Sequence, residues 1–279
     1  MKRLILTLTA ILTIAATTEC FAWGRDGHAT IAYIAERHLT PKAKENIEKC
    51  IDGRSIVYYA SWLDNHRAEH KSWGRLSHVC HYDIHSFEAI GRPHNYMKST
   101  INKLKNYREL PDSALKVTIY HFVHSFGDYH CPGHVALYDR TGEKTKRIHT
   151  TSYDCYLATK KSRWNYHKLW DASIIQILHP DWGYMDWAHA LDSSVSQEYI
   201  DRVTSGTWED WLQDVAKTTH TVYNIFNRVP KIENDKDAPD KELSVVSGQT
   251  LNEYGEYAAE QLLNAGLRMA KIINEIFGE

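Results

Sequence analysis

The sequence predicts an all-α fold in a single domain. Two long segments place apolar residues at alternating steps of three and four, the spacing that lines one face of a helix. One runs from Leu251 to Ile276, and the other from Trp208 to Phe226. No internal repeat and no Gly/Ser-rich linker divides the chain, so we expect residues 23–279 to form one domain.

Residues 1–22 have the pattern of a cleavable export signal. A basic start is followed by an apolar run from Leu4 to Ala16, too short to span a bilayer comfortably, and Ala22 suits the cleavage site. Cleavage there makes Trp23 the first residue of an exported protein, periplasmic or secreted. The alternative is a lipoprotein anchored through Cys20, but Glu19 stands where lipid-modified sites prefer a small residue.

Further helices are expected along most of the remaining chain. Thr40 and Pro41 provide an N-cap and a proline at the first helical position. The apolar run before His124 predicts a buried central helix, and residues 77–85 lack helical periodicity and are expected to be extended. Residues 139–161 and 229–247 are predicted to be loops. The other predicted helices cover residues 27–39, 56–67, 95–107 and 165–178.

Charge and cysteine content restrict the class of protein. The chain has 33 basic and 35 acidic residues, a net charge of −2, which excludes a strongly basic nucleic-acid coat but leaves room for a local basic groove. No segment after the signal is long and apolar enough to cross a membrane. Four cysteines remain after cleavage, so an exported chain can form two disulfides in three connectivities, and a bond between Cys80 and Cys131 would tie two candidate ligand segments together.

Two His/Asp pairs at helical spacing are the strongest chemical signal in the chain. His124 and Asp128 lie four residues apart on the central helix, and His167 and Asp171 repeat that spacing. Pro132 and Gly133 end the central helix and return His134 towards the same place. Imidazole and carboxylate together favour zinc over calcium or magnesium.

Three other segments carry ligand types. Trp23 would offer a free amine close to His28, Asp64 is followed by Arg67 one helical turn later, and His81 follows Cys80. Each residue also has an ordinary structural explanation, such as a helix cap, an ion pair or a hydrogen-bonded core histidine. Burying so many ionisable groups without a counter-charge would be costly, however, and metal ions supply that charge.

In order and spacing, these motifs resemble the S1/P1 nuclease family. They are Trp23-x-x-x-Gly-His28, Trp62-x-Asp64-x-x-Arg67, His81-Tyr82, His124-x-x-Gly-Asp128-x-His-x-Pro-x-His134 and Asn165-x-His167-x-x-Trp-Asp171. The last helix is similar as well, through Tyr254-x-x-x-Ala258 and Gln261-Leu262-x-x-Ala265-Gly266-x-Arg268.

The resemblance implies a helical phospholipase C/P1 nuclease-like fold and three zinc ions. One ion would take Asp64, His81, His124 and Asp128. A second would take the amine and carbonyl of Trp23, with His28 and Asp128, so that Asp128 bridges the pair. The third would take His134, His167 and Asp171.

The same resemblance implies an endonuclease that hydrolyses single-stranded DNA and RNA to 5′-phosphorylated products, with 3′-nucleotidase activity. Zinc-activated water would attack the phosphodiester, and Arg67 would offset charge on the phosphoryl oxygens. Tyr82 would stack on an unpaired base. Asp83 is the nearest match to an acidic base-binding residue, although the family position itself holds Ile84. We expect a monomer acting on nucleic acid and nucleotides, with no membrane partner.

Three alternatives remain open on the sequence. A zinc phospholipase C shares the fold, the N-terminal tryptophan and the three-metal site, but Arg67 and Tyr82 favour a nuclease. A non-catalytic exported binder would hold metal or nucleic acid without turnover. A helical structural domain with core histidines would bind no metal at all.

Overall fold

The computed structural model describes residues 23–66, 79–91, 95–149, 154–233 and 242–279. The predicted signal, residues 1–22, and the predicted catalytic Arg67 lie outside the described residues.

Helices make up most of the described chain, and short 3₁₀ turns lie at residues 56–59, 107–109, 132–134 and 158–160. The helices are α1 (Gly24–Arg37), α2 (Pro41–Cys50), α3 (Trp62–Asn65), α4 (Asn95–Lys105), α5 (Asp112–Tyr129), α6 (Tyr166–Lys168), α7 (Ile174–Leu178), α8 (Tyr184–Asp192), α9 (Gln197–Thr204), α10 (Trp208–Arg228) and α11 (Gly248–Phe277).

The C-terminal helix α11 is the main packing element. It contacts α1, α2, α5 and α7 to α10, as its apolar stripe predicts. It packs tightly against α1 at Gly266, where an added Cβ would lie 2.5 Å from Cγ2 of Ile34. Within the described part of the chain, no helix is both long and apolar enough to span a bilayer.

The central helix α5 is buried over its C-terminal half. Residues from Ile119 to Tyr129 are almost fully covered by neighbouring elements. The N-terminus of α2 is capped as expected, since the Thr40 side chain accepts from the Ala43 amide at 3.2 Å and Pro41 takes the first helical position. These elements support the predicted helical fold.

Two small sheets qualify the all-α prediction. The first has the order β1-β2-β3, with β1 parallel to β2, and the second has the order β5-β4-β7-β6. Their strands are β1 (Cys80–Asp83), β2 (Val135–Asp139), β3 (Lys146–His149), β4 (Asp154–Leu157), β5 (Ser162–Asn165), β6 (Lys231–Glu233) and β7 (Glu242–Val246). The extended segment before His85 was therefore predicted correctly.

The prediction of loops over residues 139–161 and 229–247 is wrong in part, because strands form in both segments. These strands are three to five residues long, and the second sheet is completed by the pairing of β4 with β7, which is distant in the chain. Strands this short show no clear alternating pattern, so local sequence favoured a loop.

The expected disulfides are not present. Cys50, Cys80, Cys131 and Cys155 are all free thiols in the structure. Cys50 ends α2, Cys80 lies in the first sheet and Cys155 in the second, which separates them into different elements. Cys131 is buried at the end of α5, where burial raises the pKa of its thiol.

Candidate metal centre

His28, His124 and Asp128 form a buried group at the centre of the molecule. Nε2 of His28 lies 3.3 Å from Oδ1 of Asp128, and Nε2 of His124 lies 3.5 Å from Oδ2 of the same carboxylate. The two imidazole rings are stacked, with centroids 4.1 Å apart. Asp64 joins from α3, its Oδ1 lying 3.5 Å from Nε2 of His124. Each oxygen of Asp128 thus faces a different imidazole.

Local backbone structure explains how this group assembles. The helical spacing of four puts His124 and Asp128 on one face of α5. Between them, Gly127 lets α1 come close, since a Cβ there would lie 2.9 Å from Nδ1 of His28. The carbonyl of Ala60 accepts from Nδ1 of His124 at 2.9 Å. Because a carbonyl only accepts, Nδ1 carries the proton and Nε2 of His124 carries the lone pair in the neutral ring.

His134, His167 and Asp171 form a second group. Oδ1 of Asp171 lies 2.9 Å from Nε2 of His134, and its Oδ2 lies 3.0 Å from Nδ1 of His167. The Asn165 side chain caps the turn before His167 by accepting from the Lys168 amide. A π-helical turn, Leu169–Ser173, then carries Asp171. Such turns are frequent at functional sites because they re-aim side chains within a helix.

Both carboxylates are held in their charged form. Burial disfavours a charge on Asp128, but the nearby His124, His28 and His134 outweigh it and lower the pKa of this carboxyl. Burial acts in the same way on Asp171, and His134 and His167 again lower its pKa. The influence of His134 on Asp128 shows that the two groups are neighbours and share one electrostatic environment.

The donor atoms fit divalent metal ions. In each group the ligand atoms lie within 4.8 Å of one another. Nδ1 of His28 is buried and makes no hydrogen bond within the described residues, and its Nε2 faces Oδ1 of Asp128 at 3.3 Å, an arrangement that is costly unless a cation binds there. The Nε2 atoms of His134 and His167 lie 3.0 Å apart, where two lone pairs would repel without a proton or cation between them. His and Asp ligands suit zinc.

His81 is not part of either group in the structure. It is half-buried on β1, and its ring packs against Tyr138 with centroids 5.2 Å apart. Burial and the charge of Arg147 lower the pKa of this imidazole and favour its neutral form. His81 is therefore in the protonation state that a metal ligand needs, but its place in the metal site stays a prediction.

Tyr82 and Asp83 do not present a base-binding surface as the structure places them. Tyr82 is only 2% exposed, and its hydroxyl interacts with Cys80 inside the core. The Asp83 carboxylate accepts from the amides of His85 and Ser86 at 3.0 and 2.9 Å, which orders the turn after β1. These contacts lower the pKa of Asp83. The base-stacking role of Tyr82 and the base-binding role of Asp83 stay predictions.

Trp23 lies against the first group. Its side chain is buried, and its indole N–H donates to the carbonyl of Gly127 at 3.0 Å. Its own carbonyl accepts from the Gly27 amide at 3.1 Å, and a Cβ on Gly27 would meet the Trp23 side chain at 2.7 Å. The start of the described chain is thus fixed next to the residue that precedes Asp128.

Comparison with known proteins agrees with this geometry. The S1/P1 Nuclease family profile matches residues 23–278. The chain belongs to the S1/P1 nuclease family. Endonuclease 2 of Arabidopsis thaliana is 21% identical over 300 residues, covering 98% of this chain and 97% of that protein. Nuclease PA3 of Penicillium sp and nuclease P1 of Penicillium citrinum are each 24% identical, covering 92% of this chain and 98% of their own length.

Membership in the S1/P1 nuclease family supports nuclease activity, with nucleic acid as the substrate.

Two features of the site could not be found from side-chain chemistry alone. One is the Ala60 carbonyl that orients His124, because a backbone acceptor leaves no trace in the sequence. The other is the close contact between Gly127 and His28, for which a glycine inside a buried helix was the available signal.

Proposed function

We propose that this protein is an exported, zinc-dependent endonuclease that hydrolyses phosphodiester bonds of single-stranded DNA and RNA. The products are 5′-phosphorylated, and the same site acts as a 3′-nucleotidase. The observation that carries this proposal is the pair of adjacent His/Asp groups, with Asp128 facing one imidazole through each of its oxygens.

The proposed ligand sets follow the two groups. Asp64, His124 and Asp128, joined by His81, hold one zinc ion. His28 and Asp128 hold a second together with the amine and carbonyl of Trp23. Residues His134, His167 and Asp171 hold the third. Bound zinc supplies an activated water at neutral pH and neutralises charge on the phosphate oxygens.

The protein residues orient and hold the reacting groups. Ala60 fixes the tautomer of His124, so its Nε2 stays available beside Asp64 and Asp128. The depressed pKa of Asp128 keeps its carboxylate charged across the physiological range. Arg67, outside the described residues, is proposed to stabilise charge on the phosphoryl oxygens.

Export belongs to the same proposal. We propose that residues 1–22 are removed as a signal peptide, because the amine of Trp23 becomes a ligand only when no residue precedes it. The buried Trp23 side chain and its bond to Gly127 support this, since they anchor the N-terminal residue next to Asp128.

The test is a substrate panel with the chain that begins at Trp23. Single-stranded DNA, double-stranded DNA, a 3′-nucleotide and phosphatidylcholine are assayed with zinc, with chelator, and after zinc is restored. We expect single-stranded DNA and the 3′-nucleotide to be hydrolysed, activity to stop with chelator and return with zinc, and the lipid to stay intact. Hydrolysis of the lipid alone would instead identify a phospholipase C, and no hydrolysis of any substrate would identify a binder.

A further inference from the structure

A cavity of about 970 Å³ lies beside the metal centre and is not explained by the ligand set. Its walls come from the first turns of α1, the 3₁₀ turn Ile56–Tyr59, and α3. Two of these elements also carry proposed metal ligands, because α1 holds His28 and α3 holds Asp64. Lining residues flank the ligands directly: Ala29 follows His28, and Asn65 follows Asp64. A polymer bound at the metals would pass next to this cavity.

An exposed tyrosine stands at the edge of the cavity. Tyr58 is 65% exposed, more than any other large hydrophobic side chain among the described residues. The guanidinium of Arg54 lies over its ring at 4.4 Å from the centroid, and Tyr59 packs edge-on against it at 4.9 Å. These two neighbours hold the Tyr58 ring in place, while its exposure leaves surface for another planar group.

The charges around the cavity suit an anionic strand. Arg25 and Arg54 are exposed and line it, together with the acidic Asp26 and Asp52. Asp52 is already paired with Lys116, whose Nζ lies 2.6 Å from its carboxylate. Because Asp52 is paired, Asp26 is the remaining carboxylate in the cavity lining that can offset the positive charges of the two arginines. Cationic side chains beside an open aromatic ring are the combination that binds single-stranded nucleic acid, through phosphate contacts and base stacking.

We propose that this cavity is a binding subsite for the nucleic acid strand outside the cleaved bond, with Tyr58 stacking on a base and Arg54 contacting a phosphate. The inference rests on the proposed function, since it requires a nucleic acid at the metal centre. It assigns to this chain a preference for substrates long enough to reach from the metals to Tyr58.

Two substrates that differ only in length test the subsite. Steady-state kinetics of the zinc-loaded chain are measured on an oligothymidylate of about ten nucleotides and on the dinucleotide. Tyr58→Ala should raise KM for the oligonucleotide by about 10-fold, the usual effect of losing one base–aromatic stack. It should leave kcat, and both constants for the dinucleotide, unchanged. Tyr58→Phe keeps the ring and should restore the wild-type KM.

Salt dependence separates the role of Arg54 from that of Tyr58. Each phosphate contact to a single strand contributes about −0.7 to the slope of log affinity against log salt. Arg54→Ala should therefore raise KM for the oligonucleotide and flatten its salt dependence, whereas Tyr58→Ala should leave that dependence unaltered. Arg228→Ala, at the end of α10 and outside the cavity lining, is the matched control and should change neither.

The outcomes distinguish the two proposals. If the wild-type chain cleaves neither substrate, the proposed nuclease function fails. If it cleaves both but Tyr58→Ala and Arg54→Ala keep the wild-type KM for the oligonucleotide, the subsite alone is wrong.

Discussion

At the scale of single residues, the site depends on one carboxylate that serves two imidazoles. The helical spacing of His124 and Asp128 was visible in the sequence, and the structure adds that Oδ1 of Asp128 faces His28 while Oδ2 faces His124. The position of His28 could not be derived from local spacing, since α1 and α5 are brought together by packing across the core. Family resemblance supplied that link.

Replacing the shared carboxylate should disable the site. Asp128→Asn removes the negative charge that faces both imidazoles, so we expect zinc to be lost and kcat/KM to fall by more than the 10- to 100-fold typical of an outer-shell partner. Zinc content and hydrolysis of single-stranded DNA are the measurements. Asp112→Asn, in the exposed first turn of the same helix, is the control and should keep both. A fully zinc-loaded, active Asp128→Asn protein would refute the shared-ligand role.

The contact between Gly127 and His28 gives a second prediction at this scale. An added Cβ would lie 2.9 Å from Nδ1 and 3.2 Å from Cε1 of His28, so Gly127→Ala should displace the imidazole. We expect a loss of roughly 1–2 kcal/mol in the free energy of unfolding and a Tm lower by a few degrees. Thermal unfolding and zinc content provide the readout.

Gly142→Ala is the control for that substitution. The nearest atom to a Cβ at Gly142 is a backbone oxygen 3.9 Å away, so no clash arises and the Tm should stay the same. Equal Tm values and equal zinc content for the two variants would contradict the packing role of Gly127.

At the scale of elements, helix termini give a pH-dependent prediction. Thr207 and Asp210 form a capping box at the start of α10. The backbone N–H and hydroxyl of Thr207 donate to the Asp210 carboxylate and lower its pKa. A group with a lowered folded-state pKa adds stability that is present above its unfolded pKa, about 4, and is lost as pH falls through the folded value.

Asp210→Asn should therefore lower the Tm at pH 7, and the difference from the wild-type chain should shrink as pH falls below about 4. Thermal unfolding of both proteins, measured across this pH range, tests the expected difference in Tm. Asp181→Asn, on an exposed turn, is the control and should match the wild-type chain at pH 7. A difference for Asp210→Asn that stays constant with pH would contradict the role of the charged carboxylate.

The long helices were predictable from sequence, but of the small strands only the extended segment that contains β1 was expected. The stripes of α10 and α11 follow directly from apolar spacing, because each helix buries one face along its whole length. Strand β4 pairs with β7, almost ninety residues further on, and β1 pairs with β2 about fifty residues on. Such pairing depends on tertiary contacts that periodicity within a short window does not report.

The exposure of aromatic residues near the site also depends on tertiary packing, and the base-binding role of Tyr82 and Asp83 stays a prediction. Sequence adjacency put Tyr82 beside His81, but alternation along β1 and packing in the first sheet bury the tyrosine ring. Tyr58, by contrast, carried no motif, and among the described residues it is an exposed aromatic side chain that lines the cavity between α1 and α3. The motifs indicated the candidate metal ligands. The exposure of each aromatic ring depends instead on how the chain folds.

At the scale of the whole molecule, the chain is a helical framework that converges on one buried polar centre. Helices α1 and α5, the short α3 and the turn around Asp171 come from distant parts of the sequence and meet beside Trp23. The family profile extends over residues 23–278, so the match includes all of these elements.

The most direct test is the number of zinc ions per chain in protein that begins at Trp23, compared with protein that keeps extra residues before it. We expect three ions in the first and two in the second, because the extension converts the Trp23 amine into a peptide nitrogen. Protein that binds no zinc when it begins at Trp23, or that binds equal amounts in both forms, would contradict the proposed metal centre.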